Sequence, residues 1–564
     1  MARREAGAIV IKRSRSCLRW GSSLPLLCAW AWSTPALAAG APLAQLADTG
    51  DPPPDVVETI PDEQAPSPPA PPEPAPVSTI PPVVAVRAEP KLPSAAPVPA
   101  VTDRFALTGW ARQSVELGFS NDALRPEQPE RTALPYDRIA TRSQLFMQAR
   151  YSRGHWFEAD VSGLLSYSAF EQGPARESTP FNGINGQSAR GLLEPQLREL
   201  FVGFFSSSVD VRIGQQRIAW GKGDFVSPND VMNARDSRDP FVGETELLHL
   251  PTFALRADFD LGIGTLEGVA SPVFTPDRFD VSGSNWAILQ PDAPVWVRGL
   301  SNLLDRSTDP SLRPAMQPLL SSTRYPKSDF TEPVLGARWT WAVSRADLSY
   351  YYQYGFDGPL IEVDPQLLAG LSSLDYSQAG LADLQPLLQA IDAGQSPIRL
   401  RYVRRHHVGM DAATTWGPLA FRLDAAYDTK RVFVRRDFLG ATSPAFQAVA
   451  SIEYQTGDTG KDLLFEGIYQ HLFDKDTPPL LIYGRDTIGI AADLRWPIWQ
   501  PLSFELRGLL GLRPKTQLVQ PQLNVKFGAL VVSVGALLLA GDQYSFGQYF
   551  HRNDEAYLRA KYSF

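Results

Sequence analysis

Six histidines (His155, His249, His406, His407, His471 and His551) are the first residues to test for chemistry. None stands in a His-Glu-x-x-His pair, no Gly-x-Ser-x-Gly nucleophile turn occurs, and no Gly-rich phosphate loop is present. His406 and His407 are adjacent, so on a strand they point to opposite faces and do not share a metal. The two cysteines, Cys17 and Cys28, both fall in the first 38 residues. Beyond them no thiolate nucleophile, thiolate metal site or disulfide can form. The expectation is a non-enzyme with no cofactor and no metal.

Charge is arranged more purposefully. Arg112, Glu116, Arg150, Glu158, Asp160, Arg256, Asp258, Arg338, Asp347, Arg422, Asp424, Asp493, Arg495, Glu505 and Arg507 all alternate with apolar residues. They can set up a transverse field that orients polar solutes in a channel. They can equally form a salt-bridge network that props or plugs a lumen. A second cluster is basic: Arg401, Arg404 and Arg405 near one strand end, and Lys430, Arg431, Arg435 and Arg436 beyond the next. Gathered on one rim, these seven would suit phosphate, of lipopolysaccharide or of an anionic solute. Pairing with Asp428 and Asp437, or plain solvation, is the alternative.

The elements that carry these residues are strands. Leu419 to Asp428, Leu502 to Gly508 and Phe253 to Leu261 alternate cleanly, with Arg, Asp and Glu recurring in the set opposite the apolar one. A lipid-facing barrel with a polar lumen has this pattern in segments of about ten residues. No segment after residue 38 offers 18 uncharged apolar residues, the length of a spanning helix. In lipid the remaining solution is a closed barrel, in which every backbone amide is paired. The fold expected is all-β: a transmembrane antiparallel β-barrel of about 18 strands, preceded by a disordered Pro-rich leader. Predicted strands include 209–220, 345–355, 399–414, 418–428, 446–456 and 554–564. Connections after even-numbered strands are short and those after odd-numbered ones mostly long, which predicts both termini in the periplasm. Trp339, Trp341, Tyr350, Tyr352, Tyr354, Trp496 and Trp499 suit interfacial girdles.

Residues 1–38 read as a signal peptide, with a basic start, an apolar run from Leu24 to Leu37 and Ala36-Leu37-Ala38 as a cleavage site. Residues 39–103 read as a Pro-rich disordered periplasmic leader, acting as a tether or as a contact to an envelope partner. Residues 104–564 are the barrel. Net charge is −8 overall and +5 over residues 1–38, hence −8 − 5 = −13 for the remainder, which argues against nucleic acid.

Several motifs carry a resemblance. They are the run Gly214 to Asp224, then Pro228-Asn229-Asp230 and Asn233-Ala234-Arg235-Asp236, then Glu267-Gly268-Val269, Pro272 to Arg278, and His406 to Asp411. Together they resemble proteobacterial outer-membrane barrels grouped as a domain of unknown function, across roughly residues 105–564. The resemblance implies a porin-like or exporter-like barrel with no established substrate. Ala234 departs from the Pro expected in an Asn-Pro-x-Asp turn. Within this stretch Gln215, Trp220, Gly221, Asp224, Asn229, Asp230, Asn233 and Asp236 form a loop motif. Three roles fit it: turn capping by side-chain oxygens, a constriction loop folded into the lumen, and a calcium site. The terminal face Leu558, Ala560, Tyr562 and Phe564 is similar to the C-terminal signal read by the barrel-assembly machinery.

The function expected is a bacterial outer-membrane channel or export conduit for hydrophilic solutes. The alternative is a non-conducting structural or surface-binding barrel. Expected partners are outer-membrane lipid, lipopolysaccharide, the barrel-assembly machinery and other envelope or export components.

Overall fold

The computed structural model describes residues 103–118, 139–169, 193–238, 240–241, 245–279, 330–343, 346–373, 398–455, 461–476 and 479–564, with isolated loop positions between them. The expected signal peptide and almost all of the leader lie outside the described residues.

Eighteen strands form one sheet. They are β1 (Asp103–Gly118), β2 (Ile139–Arg153), β3 (Phe157–Ala169), β4 (Leu193–Phe205), β5 (Val209–Gln216), β6 (Thr252–Asp260), β7 (Thr265–Ser271), β8 (Val334–Val343) and β9 (Ala346–Val363). There follow β10 (Ile398–Trp416), β11 (Leu419–Val434), β12 (Gly440–Gln455), β13 (Asp462–Leu472), β14 (Asp486–Trp499), β15 (Leu502–Arg513), β16 (Lys515–Phe527), β17 (Leu530–Gly541) and β18 (Glu555–Ser563). Each pairs antiparallel with the next, and β18 returns to β1 in the register Trp110↔Ser563 to Gly118↔Glu555. The sheet therefore has no edge, which is what a bilayer demands of strands. At the seam Phe564 N–H donates to Gly109 O and Gly109 N–H donates to Phe564 O, both at 3.0 Å.

The sequence alternation becomes a two-faced wall. On β18, Leu558 and Tyr562 are exposed outward while Tyr557 and Arg559 are buried inward. On β10, Val408 and Met410 face out while His407 and Asp411 are fully covered inside. The outer surface is a continuous belt of apolar side chains, the solvent of which is lipid. The core lies in the lumen and is largely polar.

Two predicted boundaries move. β5 stops at Gln216 rather than 220, because Ile218 N–H bonds to the side chain of Asn233 instead of a neighbouring strand. β9, β11 and β12 run six to eight residues further at the long-loop end than the alternation predicts. Register shifts between Asp357 and Leu360, and between Asp428 and Arg431, break the period there. A bulge admits an extra residue and swaps which face follows it, so a strict period-two reading ends early.

Candidate functional site

After β5 the chain does not rise over the barrel mouth. It turns inward and crosses the lumen, and its first turns are built by side chains. Asn233 accepts from Ile218 N–H (3.1 Å) and donates to Ile218 O (2.6 Å), so one amide imitates a strand partner for both backbone groups. Trp220 is 2% exposed, with its ring 5.4 Å from that of Tyr351 and its Nε1–H on Glu267 (3.1 Å). Gly221 has φ +78°, a conformation disfavoured for other L residues, and it sends its N–H to the Tyr351 hydroxyl (3.2 Å).

From there the loop is held by carboxyl groups on the far wall. Asp424 of β11 accepts from Ser227 Oγ (2.6 Å), from the N–H groups of Lys222 (3.2 Å) and Gly223 (3.4 Å), and from the Asn229 amide. Glu466 of β13 accepts three consecutive N–H groups, those of Asp224 (3.0 Å), Phe225 (3.3 Å) and Val226 (2.8 Å). Lys222 Nζ reaches Asp411 of β10 at 3.0 Å, and Arg422 bridges Asp224 to Glu453. Asn229 also donates to Met410 O (3.0 Å), while its Oδ1 meets His407 Nε2 (3.1 Å). Its close approach needs Gly409, where a Cβ would lie 1.6 Å from Asn229 Oδ1.

The returning half of the loop carries its own charge cluster. Asp230 binds Arg235 (3.0 Å) and His249 (2.6 Å), all three buried. Burial disfavours charge on both partners. For His249 burial wins and its pKa falls, whereas for Asp230 the charge of Arg235 and the hydrogen bond to His249 outweigh burial and its carboxyl sits below the usual range. Asp277, on the turn after β7, accepts Arg235 N–H (2.7 Å), and burial pushes its carboxyl up to about 7. Arg238 joins Asp236 (2.6 Å) to Glu194 of β4 (2.9 Å), tying the loop to the opposite wall. Phe241 then packs on Trp286 (5.0 Å) and on Phe546 (6.1 Å) of the 542–554 connection.

The two walls left on either side both carry charge of both signs, with buried Glu116, Asp160 and Glu555 among the arginines of one and Arg256, Arg338, Arg495 and Arg507 pairing the acids of the other. Arg112, Arg142, Arg198 and Arg559 line β1, β2, β4 and β18, all buried. Arg559 lies 3.7 Å from the Tyr557 ring, and its three guanidinium nitrogens make no hydrogen bond among the described residues. Glu267, Asp411, Asp424, Glu466, Asp493 and Glu505 line the arc from β7 to β15.

Seven of the eight loop-motif residues share this crossing; Gln215 does not. It faces outward in β5 and donates to Leu197 O (3.0 Å), and Gln216 is the residue that turns in. Asp230 and Asp236, proposed as calcium oxygens, instead engage Arg235, His249 and Arg238. No cluster of three or more metal-ligating His, Asp or Glu occurs among the described residues.

The seven-cation rim does not assemble. Arg405 and Arg431 point inward onto Asp428, and Arg435 pairs with Asp437 (2.5 Å). Arg401 pairs with Glu362 (2.7 Å), Arg404 lies over Phe356 (3.9 Å), Arg436 lies over Tyr544 (3.8 Å), and Lys430 is exposed. Strand alternation sends neighbouring residues to opposite faces, and the bulge after Asp428 scatters them again. Leu558, Tyr562 and Phe564 are exposed on the outer face of β18, with Ala560 half-buried between them.

Sequence reasoning missed Glu466, Asp411, His407, Lys222, Ser227 and Asp277 as loop anchors. Glu466 carried a usable signal: it is the acid in the middle of the inward face of β13, between Leu464 and Ile468, whereas Asp462 stands at the strand's start. Nothing in the sequence says which loop N–H groups it receives.

No family model and no curated protein matches this chain. Among solved structures, similar barrels include OccAB3 of Acinetobacter baumannii (9% identity, TM-score 0.43, covering 82% of this chain and 99% of that one). OccK5 (OpdH) of Pseudomonas aeruginosa has 9% identity and TM-score 0.41, covering 81% and 97%. A BenF-like porin from Pseudomonas fluorescens Pf-5 has 9% identity and TM-score 0.43, covering 82% and 98%.

Proposed function

We propose that this chain is an outer-membrane channel for hydrophilic solutes, with the loop from Arg217 to Pro251 as its constriction. The carrying observation is the anchoring itself. Eight wall-to-loop hydrogen bonds converge on Asp424, Glu466 and the Met410 carbonyl, deep inside the barrel. A barrel of this strand number encloses a wide lumen, and a loop fixed across it narrows that lumen to a polar eyelet. Loop N–H groups answer Asp424 and Glu466 and Lys222 answers Asp411, so Arg559, whose guanidinium makes no hydrogen bond among the described residues, sets the sign that a solute meets.

The short turns face the periplasm and the long loops face outward in this reading. The aromatic-capped face of β18 serves recognition by the barrel-assembly machinery, and Arg404, which lies over the ring of Tyr354, meets lipopolysaccharide. The decisive experiment is single-channel recording of purified, heat-modifiable barrel in planar bilayers. Steady current steps with preference for anions are expected. A folded barrel that stays silent at modest voltage refutes the channel and leaves a structural or surface-binding role.

A further inference from the structure

On the long-loop side of the crossing loop the lumen holds a cavity of about 160 Å3. Its floor is the arc from Val226 to Arg235, and its walls are β9 to β13 with the turn at 273–277. A void of roughly 150 Å3 takes up a benzene molecule, so this one, which is open on one side, holds the body of one six-membered ring while its substituents reach beyond it. The lining suits a ring. Phe274 stands edge-on to Tyr402 (4.7 Å) and Phe356 (5.4 Å), and Phe433 edge-on to Tyr483 (5.6 Å). Such surfaces pack against the C–H faces of a solute.

Charge narrows the class. Arg405 and Arg431 are both matched by Asp428, Asp357 lies 4.0 Å from Arg405, and Arg235 is matched by Asp230. The carboxylates are equally engaged: Asp357 accepts Val432 N–H (2.8 Å) and Asp277 accepts Arg235 N–H (2.7 Å). An anion or a cation would have to break one of these pairs, at the cost of leaving a buried charge alone. A neutral ligand breaks none.

Three buried polar atoms of its lining remain open among the described residues, the acceptors Asp230 Oδ1 and Gln353 Oε1 and the donor Arg405 Nε, and the last two lie together. Gln353, 2% exposed, spends its N–H on Val231 O (2.6 Å), while its Oε1 has no hydrogen-bond partner among the described residues. Arg405, 4% exposed, places Nη1 on Asp428, and its Nε–H likewise has no hydrogen-bond partner. They sit on neighbouring strands, with Gly355 of β9 opposite Arg405 and Gln353 opposite His407. A buried acceptor beside a buried donor calls for a group that is both, and a hydroxyl is that group.

We propose that this cavity is a binding subsite for a neutral, polyhydroxylated six-membered ring, a monosaccharide-sized solute. The ring stacks on the Phe274 and Tyr402 side, with hydroxyls donating to Gln353 Oε1 and accepting from Arg405 Nε. Onward passage of that solute past the loop rests on the channel reading; binding does not.

The test uses the purified full chain, with D-glucose and D-galactose as probes and benzoate as a ring-sized anion. Saturable binding of at least one hexose is expected by calorimetry, with brief current interruptions when that hexose is added on the long-loop side. Gln353→Met removes the open acceptor, and Phe274→Ala removes an aromatic wall from outside the barrel strands. Each is expected to weaken hexose binding at least tenfold in heat-modifiable barrel. Hexose affinity unchanged in both folded variants, benzoate binding without hexose binding, or no binding of either probe overturns the subsite. Hexose binding to a silent barrel upholds the subsite and retires the channel, whereas a conducting barrel blind to hexose does the reverse.

Discussion

Replacing Glu466 with Gln is the sharpest perturbation of the crossing loop. The two side chains have the same shape, but the amide keeps one acceptor oxygen and turns the other position into a donor. In the native site Val226 N–H meets Oε1, and Asp224 and Phe225 N–H meet Oε2. Whichever way the amide lies, one or two of the three bonds are lost and the N–H groups concerned face another N–H. A buried bond of this kind contributes about 1–3 kcal/mol, so each bond lost releases the loop roughly five- to 160-fold more often. The barrel survives, because Glu466 keeps its backbone pairing with Ser451 and Ala491. A spin label on an Ala219→Cys variant reports the loop, since both native cysteines lie in the first 38 residues and Ala219 is exposed. Glu466→Gln is expected to raise label mobility and open-channel current noise together. An unchanged spectrum and unchanged noise in a folded barrel would refute the idea that Glu466 holds the loop.

Other perturbations address the remaining contacts. Gly409→Ala forces a Cβ into Asn229 Oδ1, and it is expected to shift the loop and alter conductance, while Gly467→Ala, whose nearest contact is 3.8 Å, leaves conductance as it was. Deleting Phe564 removes both seam hydrogen bonds to Gly109, and immunoblots of unheated samples should show less folded barrel; normal levels count against a closing role. The raised carboxyl of Asp277 makes the native state bind its proton more tightly than the unfolded chain, so loop stability falls as pH rises from about 4 through about 7. Label mobility at position 219 should therefore climb over that range and flatten in Asp277→Asn. Asp554, pushed by burial to about 6, is separated from it by Asp554→Asn. Arg559→Gln removes a guanidinium with no hydrogen bond among the described residues, and reversal potentials under a salt gradient should shift towards cations; an unshifted potential means Arg559 does not face the solute path.

The barrel was legible in the sequence because lipid imposes one rule on every strand. Leu558, Tyr562 and Phe564 must face hydrocarbon and Arg559 must not, and this parity recurs wherever the chain spans. The rule weakens where lipid ends. Past Asp357 and Asp428 the strands continue beyond the predicted limits, but bulges reverse their faces, and the basic cluster drawn from that region does not assemble. The crossing loop lay between these cases. Trp220, Gly221, Asn229 and Asn233 were visible as a motif, because a loop that must bond to itself and to a wall spends conspicuous residues on turns. Its destination was not visible. Asp424, Glu466 and Asp411 lie about 200 residues downstream of the groups they hold, and only closure of the β18–β1 seam fixes which wall faces the loop. A local code can therefore announce that a loop is structured, while the carboxyl groups that receive it are chosen by the circumference of the barrel.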